Sequence, residues 1–375
     1  MASKQTSIKT AIVFCALLSF GVNAKQADQA IQESEIVSAT PFKYIDNRPS
    51  PKYRLDAKDQ GVILKYGDGP NKSDVLGARD VAVYKHGVTY YMYYDGSGPT
   101  AWLANLATST DLKTWKKHGA VLDLGNPGAK DSASASFGNI IYDGSKWHML
   151  YLSTVNASTS PNFVPVPSYH TSIATAPDPK GPWTKNYDLA PFPLAETSGT
   201  FYNLSSAPGH VFKDGDGYTM MVSAANETNM RTIAVAHTKS LDSSWKIKSE
   251  PIVPVTEQIE NGSIYYQKSD KTWFMFVNHV GIDSEIGEYT DAVWVYWTKD
   301  FESWNPEHKA VVLDSSNVKW APKIIGLPSV IQVGDRLAIF YDGQEVKPKA
   351  GADWPEYHMK RDIGLAWLNL PIKTP

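Results

Sequence analysis

One repeated pattern constrains this chain more than any other feature. An apolar strand, a tight turn and an aromatic strand recur as VAVYKHGVTYYMYYDG (81–96), GNIIYDGSKWHMLYLS (138–153), GHVFKDGDGYTMMVSA (209–224), GSIYYQKSDKTWFMFVN (262–278) and SVIQVGDRLAIFYDG (329–343). Period-two alternation and a Gly- or Asp-containing turn mark each copy as a β-hairpin. A short strand, a polar bend and a tryptophan follow the first four. These are Trp115, Trp183, Trp245 and Trp304, spaced 68, 62 and 59 residues apart. The fifth hairpin is followed by DIGLAWLNLP (362–371), a third strand without the bend. A unit of three or four antiparallel strands cannot bury both faces of its own sheet, but a ring of such units can. The expected fold is therefore all-β, a five-bladed β-propeller over residues 51–375. The strand GVILKY (61–66) is expected to complete the last blade and close the ring. Residues 25–50 read as a polar leader that packs loosely, with the fold starting near Pro51.

The first residues point to export. Lys4 and Lys9 precede the apolar run TAIVFCALLSF, and Val22-Asn23-Ala24 supplies the small residues of a cleavage site. Residues 1–24 are expected to be a signal peptide cut after Ala24, leaving a secreted or periplasmic protein with no membrane insertion. The apolar run is too short to span a bilayer. Cys15 is the only cysteine and falls inside that signal, so the mature chain offers no disulfide, thiol nucleophile or cysteine metal site. Cleavage removes two lysines and no acid, taking the formal charge from −3 to −5. A mildly acidic protein lacks the basic footprint of a nucleic-acid binder.

A fold of this kind does not fix a function, so the residues at the axis must decide. The innermost strand of each blade lines the funnel, and acids at the strand mouths are the groups to weigh. Asp80 opens the first inner strand, with Arg79 beside it as a substrate contact. Asp131 precedes the second, before a run of small residues, Ser132 to Ser136. Glu260 opens the fourth, among apolar and small neighbours whose desolvation would raise its pKa. Glycoside hydrolysis uses two carboxyl groups in this way: one protonates the leaving oxygen, the other activates water or attacks the sugar. The third blade carries no acid at the matching place, and His210 is its nearest polar residue, read as a sugar contact. His279, Asp291, Trp320, His358 and Arg361 are further candidates for substrate contact, and Trp102 for a stacking platform. The sequence DGDG (214–217) lacks the later acid of a calcium loop and reads as a hairpin turn. No metal-ligand spacing is present.

Several of these segments resemble known families. ARDVAVYKHGVTYYMYY is similar to the first-blade motif of family 43 glycoside hydrolases, and ATSTDLKTW to the bend shared by families 43 and 32. IENGSIYY resembles the segment that carries the family 43 general acid. ATSTDLKTWKKHGAVLDLGNPGAKDSASASFG also resembles family 117, the anhydro-galactosidases of agar breakdown. The resemblance implies Asp80 as general base, Glu260 as general acid and Asp131 as the residue that orients the acid and tunes its pKa. It implies an exo-acting, inverting enzyme on a plant or algal polysaccharide or oligosaccharide. No organic cofactor is required, and a structural ion in the axial channel is admitted. The departures are Val81 for the usual Pro, Asn261-Gly262-Ser263 for Gly-Pro-His, and an acid in the fourth unit instead of the third. Two alternatives stay open: a retaining enzyme like family 32, and a non-catalytic carbohydrate-binding propeller.

Overall fold

The computed structural model describes residues 32–283, 287–346, 348–349 and 352–375. The expected signal peptide, its cleavage site and Cys15 lie outside the described residues. Five antiparallel sheets of four strands each follow one another along the chain. Their inner strands are Gly77–His86, Ser134–Tyr142, Ser205–Asp214, Ile259–Gln267 and Ile324–Val333, opening blades I to V. In blades I to IV the fourth strand comes last in sequence. In blade V it is Lys58–Leu64, which pairs antiparallel with Asp362–Asn369 and closes the ring as the sequence suggested.

The apolar residues sort into the five interfaces of a ring. Val83, Met92 and Tyr94 of blade I meet Ala338, Phe340 and Leu365 of blade V. Blades I and II share Tyr93, Leu106, Trp147 and Met149. Leu150, Met220 and Val222 join blades II and III. Met221, Ile233, Met275 and Val277 join III and IV. Phe274, Phe276, Val330 and Ile339 join IV and V. Alternation along each strand sends successive side chains to opposite neighbours, which is why every unit needs two others.

The tryptophan bends have a local cause. Ser109 Oγ accepts the N–H of Leu112 at 2.9 Å, and Asp111 caps the N–H groups of Lys113 and Thr114 at 2.9 and 2.8 Å. The turned chain lets Trp115 donate its indole N–H to the Leu112 carbonyl at 3.1 Å, and Trp304 repeats the bond with Phe301 at 2.7 Å. Trp115, Trp183, Trp245 and Trp304 each fold back onto an interblade core.

The leader is more integrated than its composition suggested. Ser34–Glu35 pairs in parallel with Ile372–Lys373, and Val37–Ser38 pairs with Tyr53–Arg54. Ile36 is buried among blades IV and V, and buried Tyr44 accepts the Trp294 indole N–H at 2.8 Å. The described part of the 25–50 segment is thus tied to the propeller before Pro51. The tie rests on isolated apolar residues in a polar stretch, which composition does not weigh.

Candidate active site

Every inner strand carries a β-bulge at the same depth. Pairing slips between Arg79 and Ala82, opposite Leu152 and Tyr151 around Phe137, and between Pro208 and Val211, Glu260 and Ser263, and Gly326 and Ser329. At four bulges a non-glycine residue takes a positive φ: Asp80 at 51°, Phe137 at 29°, Asn261 at 57° and Leu327 at 56°. Such bulges re-aim side chains and gather at functional sites. Here they bring Asp80 and Asn261 to a cavity of about 260 Å³.

Asp80, Arg79, Trp102, Glu260 and His358, all expected from the sequence, line this one cavity, together with Asp95, Tyr169, Arg231, Asn261 and Glu288. Arg79 Nε donates to Asp80 Oδ2 at 2.7 Å, and its Nη1 lies 2.8 Å from His358 Nδ1. Because the guanidinium can only donate, the His358 proton sits on Nε2. Burial, then the adjacent Arg79, holds His358 well below the usual imidazole range, so it stays neutral. Asp342 supports the group from beneath, accepting the Asp80 backbone N–H at 3.1 Å and Arg361 Nη1 at 2.8 Å. The Trp102 ring faces the Arg79 guanidinium at 5.5 Å.

Asp80 and Glu260 approach from blades I and IV through Asn261. Asn261 Nδ2 donates to Asp80 Oδ1 at 3.3 Å, and Asn261 follows Glu260 in the chain. Ser223 fixes that amide, donating to Oδ1 at 3.1 Å and accepting the Asn261 N–H at 2.8 Å. Arg231 bridges Glu260 and Glu288. Asn278 Nδ2 adds a bond to Glu260 Oε1 at 3.2 Å. Burial favours the neutral form of Glu260, but Arg231 and Asn278 outweigh it and hold the carboxyl below its ordinary value. The desolvated, raised Glu260 expected from the sequence is therefore corrected. A cation from blade III supplies what the local sequence of blade IV does not reveal.

Asp95 and Glu288 are the acids that sequence reasoning missed. Asp95 is the cross-strand neighbour of Arg79 and lies close to Asp80. Burial, then the Asp80 charge, pushes its carboxyl well above the usual range. Burial raises Glu288 too, Glu260 adds to it, and Arg231 only partly opposes it. Asp95 lies in the Tyr-rich second strand of blade I, away from the strand mouth.

Other expected site residues lie elsewhere. Asp131 is fully buried inside blade II, accepting Tyr151 OH at 3.0 Å, Lys185 Nζ at 2.5 Å and Tyr187 OH at 3.2 Å. Asp74 of blade I has the same partners, Tyr94 at 3.1 Å and Lys117 at 2.6 Å. Each acid stands 20 residues before its tyrosine and six before a bulge residue, Asp80 in blade I and Phe137 in blade II. Asp131 thus corresponds to Asp74, and aligning the repeats on the tyrosine would have shown it. His279 is buried between Tyr44 and Trp294, at ring distances of 4.1 and 4.6 Å, with Nδ1 2.7 Å from Asp291. Trp320 packs on Tyr341 and Gly364, and Arg361 is buried beneath the cavity. His279, Asp291, Trp320 and Arg361 do not line the cavity.

His210 lies along the axial channel with Asn139, Ser263 and Ser329, apart from the main cavity. Its Nδ1 accepts the Ile264 N–H at 2.9 Å, and burial pushes the imidazole down to about 4. Both channel hydroxyls already accept backbone N–H groups at 3.0 Å, from Val83 and Val330. No carboxylate lines the channel among the described residues, so this donor set does not fit a tightly held divalent ion. Away from the axis, Asp143, His148 and Asp242 bring ligand atoms within 4.8 Å of one another. Asp143 already pairs with His148 at 2.7 Å and Lys146 with Asp242 at 3.0 Å, an ion-paired cluster.

No protein-family pattern and no curated protein matches the sequence itself. Solved structures do match the fold. The BT0996 RGII complex is 14% identical with a TM-score of 0.63, covering 84% of this protein and 94% of that one. The catalytic domain of the Coprinopsis cinerea GH62 α-L-arabinofuranosidase is 12% identical with a TM-score of 0.58, covering 84% and 96%. A thermostable family-43 glycoside hydrolase is 14% identical with a TM-score of 0.52, covering 80% and 91%. At such identities the likeness establishes the five-bladed β-propeller fold.

Proposed function

We propose that this protein is a glycoside hydrolase that removes a terminal sugar from a plant or algal polysaccharide or oligosaccharide, with inversion. The observation that carries the reading is the convergence of Asp80 and the Glu260–Glu288 pair from opposite blades on one cavity. A volume of about 260 Å³ is at the low end for ligand sites, which suits one sugar unit better than a long polymer. Trp102 and Tyr169 give it apolar walls for a sugar ring, and His358 Nε2–H is a donor without a protein partner among the described residues. Asp80 is the general base that takes the proton of an attacking water, and Asn261 and Arg79 orient its carboxylate. The proton for the leaving oxygen comes from the blade IV pair. The similar structures, an RGII complex and an arabinofuranosidase among them, agree with a carbohydrate substrate.

The test is hydrolysis of an arrayed panel of plant and algal oligosaccharides by the wild type and Asp80→Asn. Activity on one sugar, lost by about a thousandfold in the variant, is the expected result. A first product that keeps its anomeric configuration would make Asp80 a nucleophile instead. The third blade offers Pro208-Gly209 where blades I and IV offer charged residues, which favours a non-catalytic carbohydrate-binding propeller as second reading. Binding without turnover in the wild type would establish it. We also propose that residues 1–24 direct export, so the enzyme works in the periplasm or the medium. Terminal sequencing of the mature protein is expected to begin at Lys25, and an intact Met1 would refute export by this signal.

A further inference from the structure

We infer that Glu288 is the proton donor to the departing sugar and that Glu260 is an ionised positioning residue, an inference that rests on the glycosidase reading above. Arg231 opens the strand Arg231–Thr238 of blade III and points both ends of its guanidinium at blade IV. Its Nη1 meets Glu260 Oε2 and its Nη2 meets Glu288 Oε2. Arg231 is thus bonded to two buried carboxyl groups at once, with the Arg79 charge acting on both from further off. Two carboxyl groups held on one guanidinium repel each other in low dielectric, which couples their titrations and favours one shared proton.

The remaining donors decide where that proton resides. Glu260 receives Asn278 Nδ2 at 3.2 Å on Oε1, so both of its oxygens accept a bond. Asn229 reaches Glu288 only at 3.4 Å, on the same Oε2 that Arg231 occupies. Among the described residues, the ionised form is thus better solvated by the protein at Glu260. Burial and the neighbouring Glu260 charge push Glu288 up, whereas Arg231 and Asn278 overcome burial at Glu260. Glu288 lines the same cavity as Asp80 but comes from blade IV, so acid and base are supplied by different blades.

The step balances without a co-reactant. The Glu288 carboxyl proton passes to the glycosidic oxygen as its bond to the anomeric carbon breaks. A water adds its oxygen to that carbon and gives a proton to Asp80. The products are a free sugar and an alcohol, and solvent returns the proton to Glu288.

Two measurements test this. Infrared difference spectra at neutral pH are expected to show a neutral-carboxyl band that disappears in Glu288→Gln and persists in Glu260→Gln. Kinetics then compare the panel substrate with the dinitrophenyl glycoside of the same sugar, whose leaving group needs no protonation. Glu288→Gln is expected to lose about a hundredfold or more on the natural linkage and to keep most of its rate on the dinitrophenyl glycoside. Glu260→Gln is expected to lose on both alike. Absence of the band in an active wild type, or a leaving-group dependence that appears in Glu260→Gln instead, overturns the assignment and leaves the glycosidase reading standing. A wild type that shows the Glu288 band but hydrolyses nothing brings down the glycosidase reading, and the donor role with it.

Discussion

Buried acids meet cations both inside the blades and at the axis, and the ratio differs between the two. Inside blades I and II, one buried aspartate faces one lysine: Asp74 with Lys117 and Tyr94, Asp131 with Lys185, Tyr151 and Tyr187. Blade IV repeats the set with Glu257, Lys309 and Tyr296. At the axis, four carboxyl groups, Asp80, Asp95, Glu260 and Glu288, line a cavity with two guanidiniums, Arg79 and Arg231. The blade sets are balanced and fasten the inner strand to the outer one. The axial set is unbalanced, so some of its acids are forced toward the neutral form. A buried acid is therefore read by the charge it is short of, more than by its burial or its place before a strand.

The sharpest way to break the comparison is to remove one acid from each set. Asp131→Asn leaves Lys185 buried against a neutral amide, and a loss of about 3 kcal/mol or more is expected in denaturant unfolding. The folded fraction is expected to keep its turnover. Asp80→Asn removes repulsion against Asp95 and Asp342, so its melting temperature is expected to equal or exceed the wild-type value while hydrolysis is lost. Equal destabilisation by the two changes would erase the distinction between a fastening acid and a functional one.

A smaller effect sharpens the same point through pH. The Asp95 carboxyl is raised in the folded protein, first by burial and then by Asp80. Between the unfolded value of about 3.9 and the higher folded one, the native state holds a proton that the unfolded chain has released, so stability falls as pH rises. Asp95→Asn imitates the neutral form. It is expected to stabilise the protein by at least about 1 kcal/mol at neutral pH, with the gain shrinking as pH falls toward about 4 and gone below it. Thermal melts across that range check it, and a gain that does not depend on pH would show that Asp95 is not held neutral.

The site was legible from the sequence to the extent that one residue's chemistry and its place in the repeat were enough. Asp80, Glu260, Arg79, Trp102 and His358 could be named because each stands at a strand mouth or in the closing segment, and all of them line the cavity. Asp131 looked the same locally as Asp80, since both are acids ahead of an inner strand. Their distance to the repeat's tyrosine separates them, and so do their partners, of which Lys185 stands 54 residues beyond Asp131. Asp95 and Glu288 were hidden because a second-strand or third-strand acid has no marked position until the bulges fix which residues turn to the axis.

The repeat by itself determined the architecture. Alternating strands with two apolar faces must stack, the tryptophan bends set the unit length, and five units with a spare N-terminal strand close a ring. Tertiary structure alone decided the electrostatics. Arg231 of blade III, Glu260 and Glu288 of blade IV and Asp80 of blade I come from three blades, and their charges are brought together only because the fold gathers them around one cavity. Coulomb interactions in low dielectric depend on distances in space, which no spacing along the sequence encodes.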